Sequence, residues 1–190
     1  MPNTRRRRPL LGIATVAVLL AAAVGLYLFQ PWKAFTNTTV DEALPAVTAT
    51  TAPTSTAAAA PPSASPDATR STSGPADLAR GTFRSGEHAT TGTARLVRLP
   101  DGSTVLRLED LDTSDGPDVH VYLSTAPATE SKSDHLGAKP LELDRLKGNH
   151  GNQNYAVPAG TDLTAYRSAV IWCKRFSVGF GAADLTPVPS

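Results

Sequence analysis

The distribution of apolar residues divides the chain into three parts. Residues 10–29 form an uncharged apolar run, residues 33–77 show no apolar period, and short alternating segments follow from residue 78 onward. A long apolar run predicts a helix, whereas alternation of apolar and polar residues predicts half-buried strands. The pattern therefore predicts a helix, a connecting segment and one β-rich domain.

The segment from residue 78 to the C terminus alternates over short runs that are separated by turn residues. Asp101-Gly102 predicts a hairpin turn, because glycine tolerates a positive φ. No stretch between the runs has the length and period of an amphipathic helix. We therefore predict an all-β domain, either a small β-sandwich or a barrel-like fold. The predicted strands cover residues 81–84, 93–99, 104–111, 118–124, 141–146, 154–157, 169–174 and 177–180.

Four arginines, residues 5–8, directly precede the apolar run. A helix over residues 10–29 would span about 30 Å, the thickness of the hydrocarbon core of a bilayer. Basic residues favour the cytoplasmic side, so residues 1–9 are predicted to be a cytoplasmic tail and residues 10–32 a single-pass signal anchor in the cell membrane. The lipid bilayer is then a partner, and the domain is extracytoplasmic. A signal peptide cleaved near residues 21–23 is the alternative.

Residues 33–77 are predicted to be a disordered stalk. Between residues 36 and 77, Thr, Ala, Pro and Ser account for 32 of 42 positions. So little apolar surface cannot offset the entropy lost on folding, and the recurring prolines favour extended polyproline conformations. We therefore expect the folded domain, residues 78–190, to be held on a tether.

Charge excludes one class of function. The predicted domain contains 12 basic and 13 acidic residues, which leaves a net charge of −1 and no basic stripe. Nucleic-acid binding needs concentrated Lys and Arg, so we do not expect it. The excess of Arg over Lys, 13 to 5, together with the stalk composition indicates a bacterium with a GC-rich genome.

The motifs of common enzyme classes do not occur. The chain has no Gly-x-Ser-x-Gly elbow, no His-Glu-x-x-His pair and no phosphate-binding glycine loop, so an independent enzyme is not expected. Five carboxylates lie within ten residues, but their spacing differs from that of an EF-hand and favours a solvated loop over a metal site. These residues are Glu109, Asp110, Asp112, Asp115 and Asp118.

Cys173 is the only cysteine, which excludes an intrachain disulfide. It could act as a redox thiol, form an intermolecular disulfide or ligate a metal or haem. It could equally be a small buried hydrophobe, because alternation places it on the same face as Ala169 and Ile171. Lys174 falls on the opposite face, so Arg175 is the better candidate for stabilising a thiolate.

Several short sequence motifs of the domain follow one another in the same order as in one known protein family. They resemble the DM-thirteen domain, an electron-transfer domain often associated with DOMON domains, and the resemblance covers residues 80–185. It implies an extracytoplasmic β-rich domain with a hallmark cysteine, here Cys173, that acts as a bare thiol or as a ligand to a group such as haem. The blocks are GTF at residues 81–83, VLRLED at 105–110, GPDVHVYL at 116–123, LKG at 146–148, NYAVP at 154–158 and VIWCKRFSVGFGAADL at 170–185.

No DOMON or cytochrome-type domain accompanies this segment, so the resemblance implies a separate redox partner protein. For haem, four histidines are available as second ligands but no Cys-x-x-Cys-His motif exists, and the cofactor is left open. We expect a membrane-anchored domain in electron transfer or thiol redox chemistry through Cys173. The alternative is a non-catalytic surface-binding module with a structural cysteine. The histidines are His88, His120, His135 and His150, of which His120 is the strongest candidate.

Overall fold

A computed structural model describes residues 7–30, 32, 36–45, 74–129 and 136–189. Within these residues the chain forms one α-helix, ten β-strands and a short 3-10 helix at Leu163–Ala165. The elements are α1 (Arg7–Phe29), β1 (Thr39–Asp41), β2 (Ala76–Ser85), β3 (Thr91–Arg98), β4 (Thr104–Asp112), β5 (Val119–Ser124), β6 (Leu141–Arg145), β7 (His150–Val157), β8 (Ser168–Cys173), β9 (Val178–Asp184) and β10 (Thr186–Pro187).

The strands form one curved sheet in the order β1-β7-β4-β3-β2-β9-β8-β5-β6, and β10 pairs with β2. The long strand β2 joins its two halves, because Ala76–Thr82 pair with β3 whereas Phe83–Ser85 pair with β9. The sheet therefore folds over on itself as a half-barrel around an apolar interior. The prediction of an all-β, barrel-like domain is confirmed.

The main core lies on the inner face of the half-barrel. Val119, Val121 and Leu123 of β5 all belong to it, as their alternation predicts. Alternation fails in β4, where it would place Asp110 on the face of Leu106 and Leu108. A register shift follows Leu108, and Asp110 adopts a φ of +50°, so Leu111 is buried instead.

The described residues contain no helix that is both long and apolar enough to cross a membrane. The structure therefore does not support the predicted transmembrane span at residues 10–32, although a helix does cover most of that range. Residues 1–6 of the predicted cytoplasmic tail lie outside the described residues.

The structure also differs from the predicted stalk at residues 33–77. Within that range, Thr39–Asp41 form β1 and pair in parallel with His150–Asn152 of β7. The average composition of the segment conceals a short polar sequence whose backbone groups find partners on an open strand edge. Strand β2 also begins at Ala76, just before the predicted domain boundary, while residues 46–73 lie outside the described residues.

Ion pairs join three neighbouring strands on the outer face of the sheet. Arg95 of β3 contacts Asp77 of β2 at 2.6 Å and Glu109 of β4 at 2.7 Å. Arg107 also lies 2.7 Å from Glu109. Burial pushes the pKa of Glu109 up, but the hydrogen bonds and charges of Arg107 and Arg95 outweigh it and leave the pKa below its usual value.

This network makes stability depend on pH. Because the pKa of Glu109 is lowered by folding, its contribution is fully present above the ordinary glutamate pKa of about 4.3 and is lost as pH falls through the lower folded value. The free energy of unfolding, measured by urea denaturation, should therefore decrease on acidification below about pH 4. Glu109→Gln should flatten that decrease, while Glu87→Gln at an exposed position should not. Equal pH profiles for Glu109→Gln and the wild type would contradict the assignment.

Candidate redox site around Cys173

Cys173 is the last residue of β8, a strand that lies between β5 and β9. Its side chain has no exposed surface. It pairs in register with Val119 of β5 and with Val178 of β9. Ala169, Ile171 and Cys173 all belong to the main core, which confirms the face predicted by alternation. The thiol is thus enclosed by apolar side chains.

The opposite face of β8 is buried as well. Val170 and Trp172 pack with Tyr122 of β5, Ala128 of the following loop and Ala182 of β9. A strand buried on both faces has few ways to expose any of its side chains without opening the sheet. The indole of Trp172 therefore occupies a second apolar cluster, separated from Cys173 by the strand itself.

Directly after Cys173 the chain turns sharply in an exposed segment, residues 174–177. Ser177 closes the turn with a φ of +53°, a left-handed conformation that non-glycine residues rarely adopt. The Lys174 N–H donates to the Asp118 carbonyl oxygen at 2.9 Å, which pins the end of β8 to the start of β5. Cys173 thus lies at the boundary between the rigid core and this turn, which also carries the exposed Arg175.

The Lys174 side chain is also held. Its Nζ lies 3.0 Å and 3.2 Å from the two carboxylate oxygens of Glu142 on β6. The Tyr122 hydroxyl donates to the same carboxylate at 2.8 Å. Burial, followed by this hydrogen bond to an anion, raises the pKa of Tyr122 and keeps the phenol protonated. One carboxylate thus secures both β5 and the first residue of the turn.

His120 lies beside this carboxylate on the outer face of β5. Its Nε2 is hydrogen-bonded to Asp118 Oδ1 at 3.0 Å, whereas Nδ1 lies 2.8 Å from Glu142 Oε1 outside hydrogen-bond geometry. The hydrogen bond from His120, aided by the charges of Arg145 and Lys174, holds the pKa of Asp118 below its usual range against the effect of burial. We name this group, Asp118, His120, Tyr122, Glu142 and Lys174, the Glu142 network.

The other predicted candidates lie elsewhere. The His88 ring packs on Phe180, with centroids 3.9 Å apart, and His150 contacts Asp112 at 3.3 Å. His135 lies outside the described residues. Four of the five carboxylates from Glu109 to Asp118 have separate partners: Glu109 pairs with Arg95 and Arg107, Asp112 with His150, Asp115 with Thr36 and Asp118 with His120. The described part of the chain has no group of three or more His, Cys, Asp or Glu that could hold a metal ion.

A haem on Cys173 does not fit this arrangement. The sulfur would need open space for a macrocycle beside it, yet the side chain has no exposed surface and packs among Ala169, Ile171 and other core residues. His120 projects from the outer face of β5, away from the core to which Val119 and Val121 belong. We therefore derive no step through a haem.

Sequence reasoning identified Cys173 and its face but missed the Glu142 network. Tyr122 and Glu142 are separated by about twenty positions in the chain and meet only because β5 pairs with β6 in one register. The sequence contained only one indication of this network, which was the placement of His120 and Tyr122 on the same face of one strand. The network matters for the thiol because it holds Lys174, its neighbour in the chain.

Comparison with protein families gives one match. A family model described as "Electron transfer DM13" matches residues 82–185, which include Cys173, His120 and Glu142. Neither the curated proteins nor the solved structures contain a significant match to the chain.

The enclosed position of Cys173 predicts how its substitutions rank. Cys173→Ala should lower the free energy of unfolding by about 1 kcal/mol or somewhat more through the cavity it leaves. Cys173→Ser should cost more, about 1–3 kcal/mol, because its hydroxyl would be placed among apolar side chains. Chemical denaturation followed by circular dichroism measures both. A serine variant as stable as the wild type would show that the side chain at this position is hydrated rather than enclosed by apolar groups.

Proposed function

Since this chain belongs to the electron transfer DM13 family, we propose that its domain exchanges electrons with a partner protein through the thiol of Cys173. The observation that carries the proposal is the position of this single cysteine, which ends β8 directly before the exposed turn of residues 174–177. The thiol is closed off in the resting structure. We propose that it becomes reactive when the turn opens locally.

Local opening needs few contacts to break. The register pair between Cys173 and Val178 is the last one before the turn, and the Lys174 ammonium and backbone N–H hold the strand end from the other side. The turn residues themselves are exposed, with Phe176 at 45% exposure, and Arg175 Nη1 donates to the Leu28 carbonyl oxygen. Segments of this kind open with a free energy well below that of global unfolding.

The proposed reaction is thiol–disulfide exchange with the partner. The Cys173 thiol loses its proton to water, the thiolate attacks one sulfur of a disulfide in the partner, and a mixed disulfide forms while the second sulfur leaves as a thiolate. This step oxidises the Cys173 sulfur and reduces one of the partner's two sulfurs to a thiolate, which takes up a proton from water. A low-molecular-weight thiol such as glutathione must then attack the Cys173 sulfur and release the partner as a dithiol, because this chain has one cysteine. The two electrons come one from Cys173 and one from this second thiol, and Cys173 stays disulfide-linked to the small molecule.

A second candidate function is a non-catalytic binding module in which Cys173 only fills the core. The complete burial of the side chain favours it, since structural buried cysteines are inert. The two candidates differ in whether the thiol reacts while the rest of the domain stays folded.

Thiol labelling under native conditions separates them. If the turn opens locally, Cys173 in the wild type should react with a disulfide reagent faster than global unfolding allows, at a rate that hardly changes with low concentrations of urea. Lys174→Met, which removes the contact with Glu142, should increase the rate several-fold without shifting the urea midpoint much. Lys139→Met removes the same charge from an exposed position outside the turn and should leave the rate unchanged.

The contrary outcome is equally clear. If the labelling rate follows the rate of global unfolding in the wild type and in both lysine variants, the thiol is accessible only in the unfolded chain. The binding-module function would then replace the redox one. Mass spectrometry after incubation of the folded protein with oxidised glutathione gives an independent readout, because exchange adds one glutathionyl group to Cys173.

We further propose an extracytoplasmic, membrane-held location, which rests on the arginine cluster at residues 5–8 and the apolar run after it. Protease added to spheroplasts of the native host should then release a fragment that contains residues 78–190. Replacement of the four arginines by neutral residues should weaken this orientation. Full protection of the domain until the spheroplasts are lysed would contradict the proposed location.

A further inference from the structure

Residues 36–45, here named the strap, lie along the free edge of β7. Thr39, Val40 and Asp41 pair in parallel with His150, Gly151 and Asn152. Two further backbone hydrogen bonds extend the pairing at its ends, one from the Glu42 N–H to the Asn152 carbonyl at 2.8 Å and one from the His150 N–H to the Thr38 carbonyl at 3.2 Å. The strap thus satisfies backbone groups that an edge strand would otherwise leave open.

One end of the strap is fixed by Glu42. Its carboxylate accepts hydrogen bonds from Lys147 Nζ at 2.7 Å and 2.9 Å and from the Asn154 N–H at 2.8 Å. Its carbonyl oxygen accepts one from Arg107 Nη1 at 3.0 Å. A single strap residue therefore engages β4, β7 and the loop before β7.

The other end of the strap completes the partners of a buried amide. Asn149 is 2% exposed, and its Oδ1 accepts a hydrogen bond from the Thr38 N–H at 2.7 Å. Its Nδ2 donates to Asn37 Oδ1 at 3.0 Å and to the Thr113 carbonyl at 2.9 Å. Buried polar groups in folded proteins have partners, and here two of the three come from the strap.

Two glycines leave room for the strap backbone. A Cβ at Gly148 would lie 2.5 Å from the Thr38 carbonyl oxygen, and one at Gly151 would lie 2.1 Å from that of Val40. Gly151 also has a φ of +96°, a conformation that other residues rarely adopt. The β7 edge thus accepts a chain at a distance that side chains would prevent.

The loop that carries Lys147 is held in place from beneath. The fully buried Gln153 donates to the Gly148 carbonyl at 2.7 Å and accepts from the Gly148 N–H at 3.2 Å. The Tyr155 hydroxyl donates to Gln153 Oε1 at 2.7 Å and accepts from the Lys147 N–H at 3.1 Å. The acceptor edge is therefore preorganised by groups that do not belong to the strap.

The strap contributes little to the core. Val40 and Leu44 are only partly buried, and Leu44 packs on the small cluster of Val97, Leu99 and Val105 rather than on the main core. A segment held mainly by polar contacts at an edge belongs to the part of a structure that opens most easily. Its release would leave the half-barrel intact.

We propose that the β7 edge is an acceptor site for an extended peptide, that the strap occupies it in cis, and that its release lengthens the tether of the domain. With the strap bound, six residues separate α1 from it, which allows at most about 25 Å. With the strap released, the 46 residues between α1 and β2 allow at most about 160 Å. The proposal does not depend on the role of Cys173.

Amide hydrogen exchange on the full chain tests the docking. In the wild type, the Thr38 and Glu42 amides of the strap and the His150 and Asn154 amides of β7 should be protected. The double variant Val40→Pro/Glu42→Gln should lower the protection of all four at least tenfold, while amides of β8 and β9 keep theirs. The matched control Val47→Pro/Glu87→Gln makes the same two exchanges outside the strap and should behave as the wild type.

Two outcomes would overturn the docking. One is exchange of the wild-type strap amides at the rates of an unstructured chain, and the other is unchanged protection of His150 and Asn154 in the double variant. A synthetic peptide of residues 36–45 should restore their protection in that variant, whereas a scrambled peptide should not. Failure at millimolar peptide would refute the acceptor site.

The tether length has its own readout. Small-angle X-ray scattering of the full chain should give a larger radius of gyration for Val40→Pro/Glu42→Gln than for the control variant. Loss of amide protection with no change in the radius of gyration would refute the lengthening and leave the docking intact.

Discussion

The burial of β8 on both faces is the constraint on which the domain depends. All six of its residues are buried, so the strand needs apolar cover from the half-barrel interior on one side and from Tyr122, Ala128 and Ala182 on the other. The outer cover requires that the chain after β5 fold back over the sheet. Cys173 acquires its enclosed environment from this arrangement and not from any feature of its own.

Polar networks on the outer surface determine the register between strands, which the apolar core alone does not determine. Arg95 joins β2, β3 and β4 in one half of the sheet, and Glu142 joins β5, β6 and the end of β8 in the other. Apolar side chains tolerate small shifts between strands, whereas these charged pairs favour one register. The two networks therefore contribute specificity at each side of the sheet fold made by β2.

Short-range pattern was enough to predict eight of the ten described strands, all except β1 and β10, and most of their inward faces. The common face of Ala169, Ile171 and Cys173 follows from alternation alone, as does the hairpin at Asp101-Gly102. Features that depend on contacts between distant residues could not be derived in this way. The bulge at Asp110, the meeting of Tyr122 with Glu142 and the pairing of β1 with β7 all require the register of the folded sheet. The composition of residues 36–77 was misleading for the strap, because three paired residues vanish in an average over the whole segment.

The parallel pairing of β1 with β7 has a mechanical consequence. A pulling force applied at the N terminus reaches β1 before it reaches β2, so the contacts between the strap and β7 bear the load before any strand of the half-barrel is pulled from its own end. When the strap yields, the 40 residues from 36 to 75 supply roughly 135 Å of contour length before tension reaches β2. The strap contacts can re-form once the force is removed, since the acceptor edge belongs to the unstretched domain. The strap thus detaches under force before the half-barrel unfolds and can bind again when the force is removed.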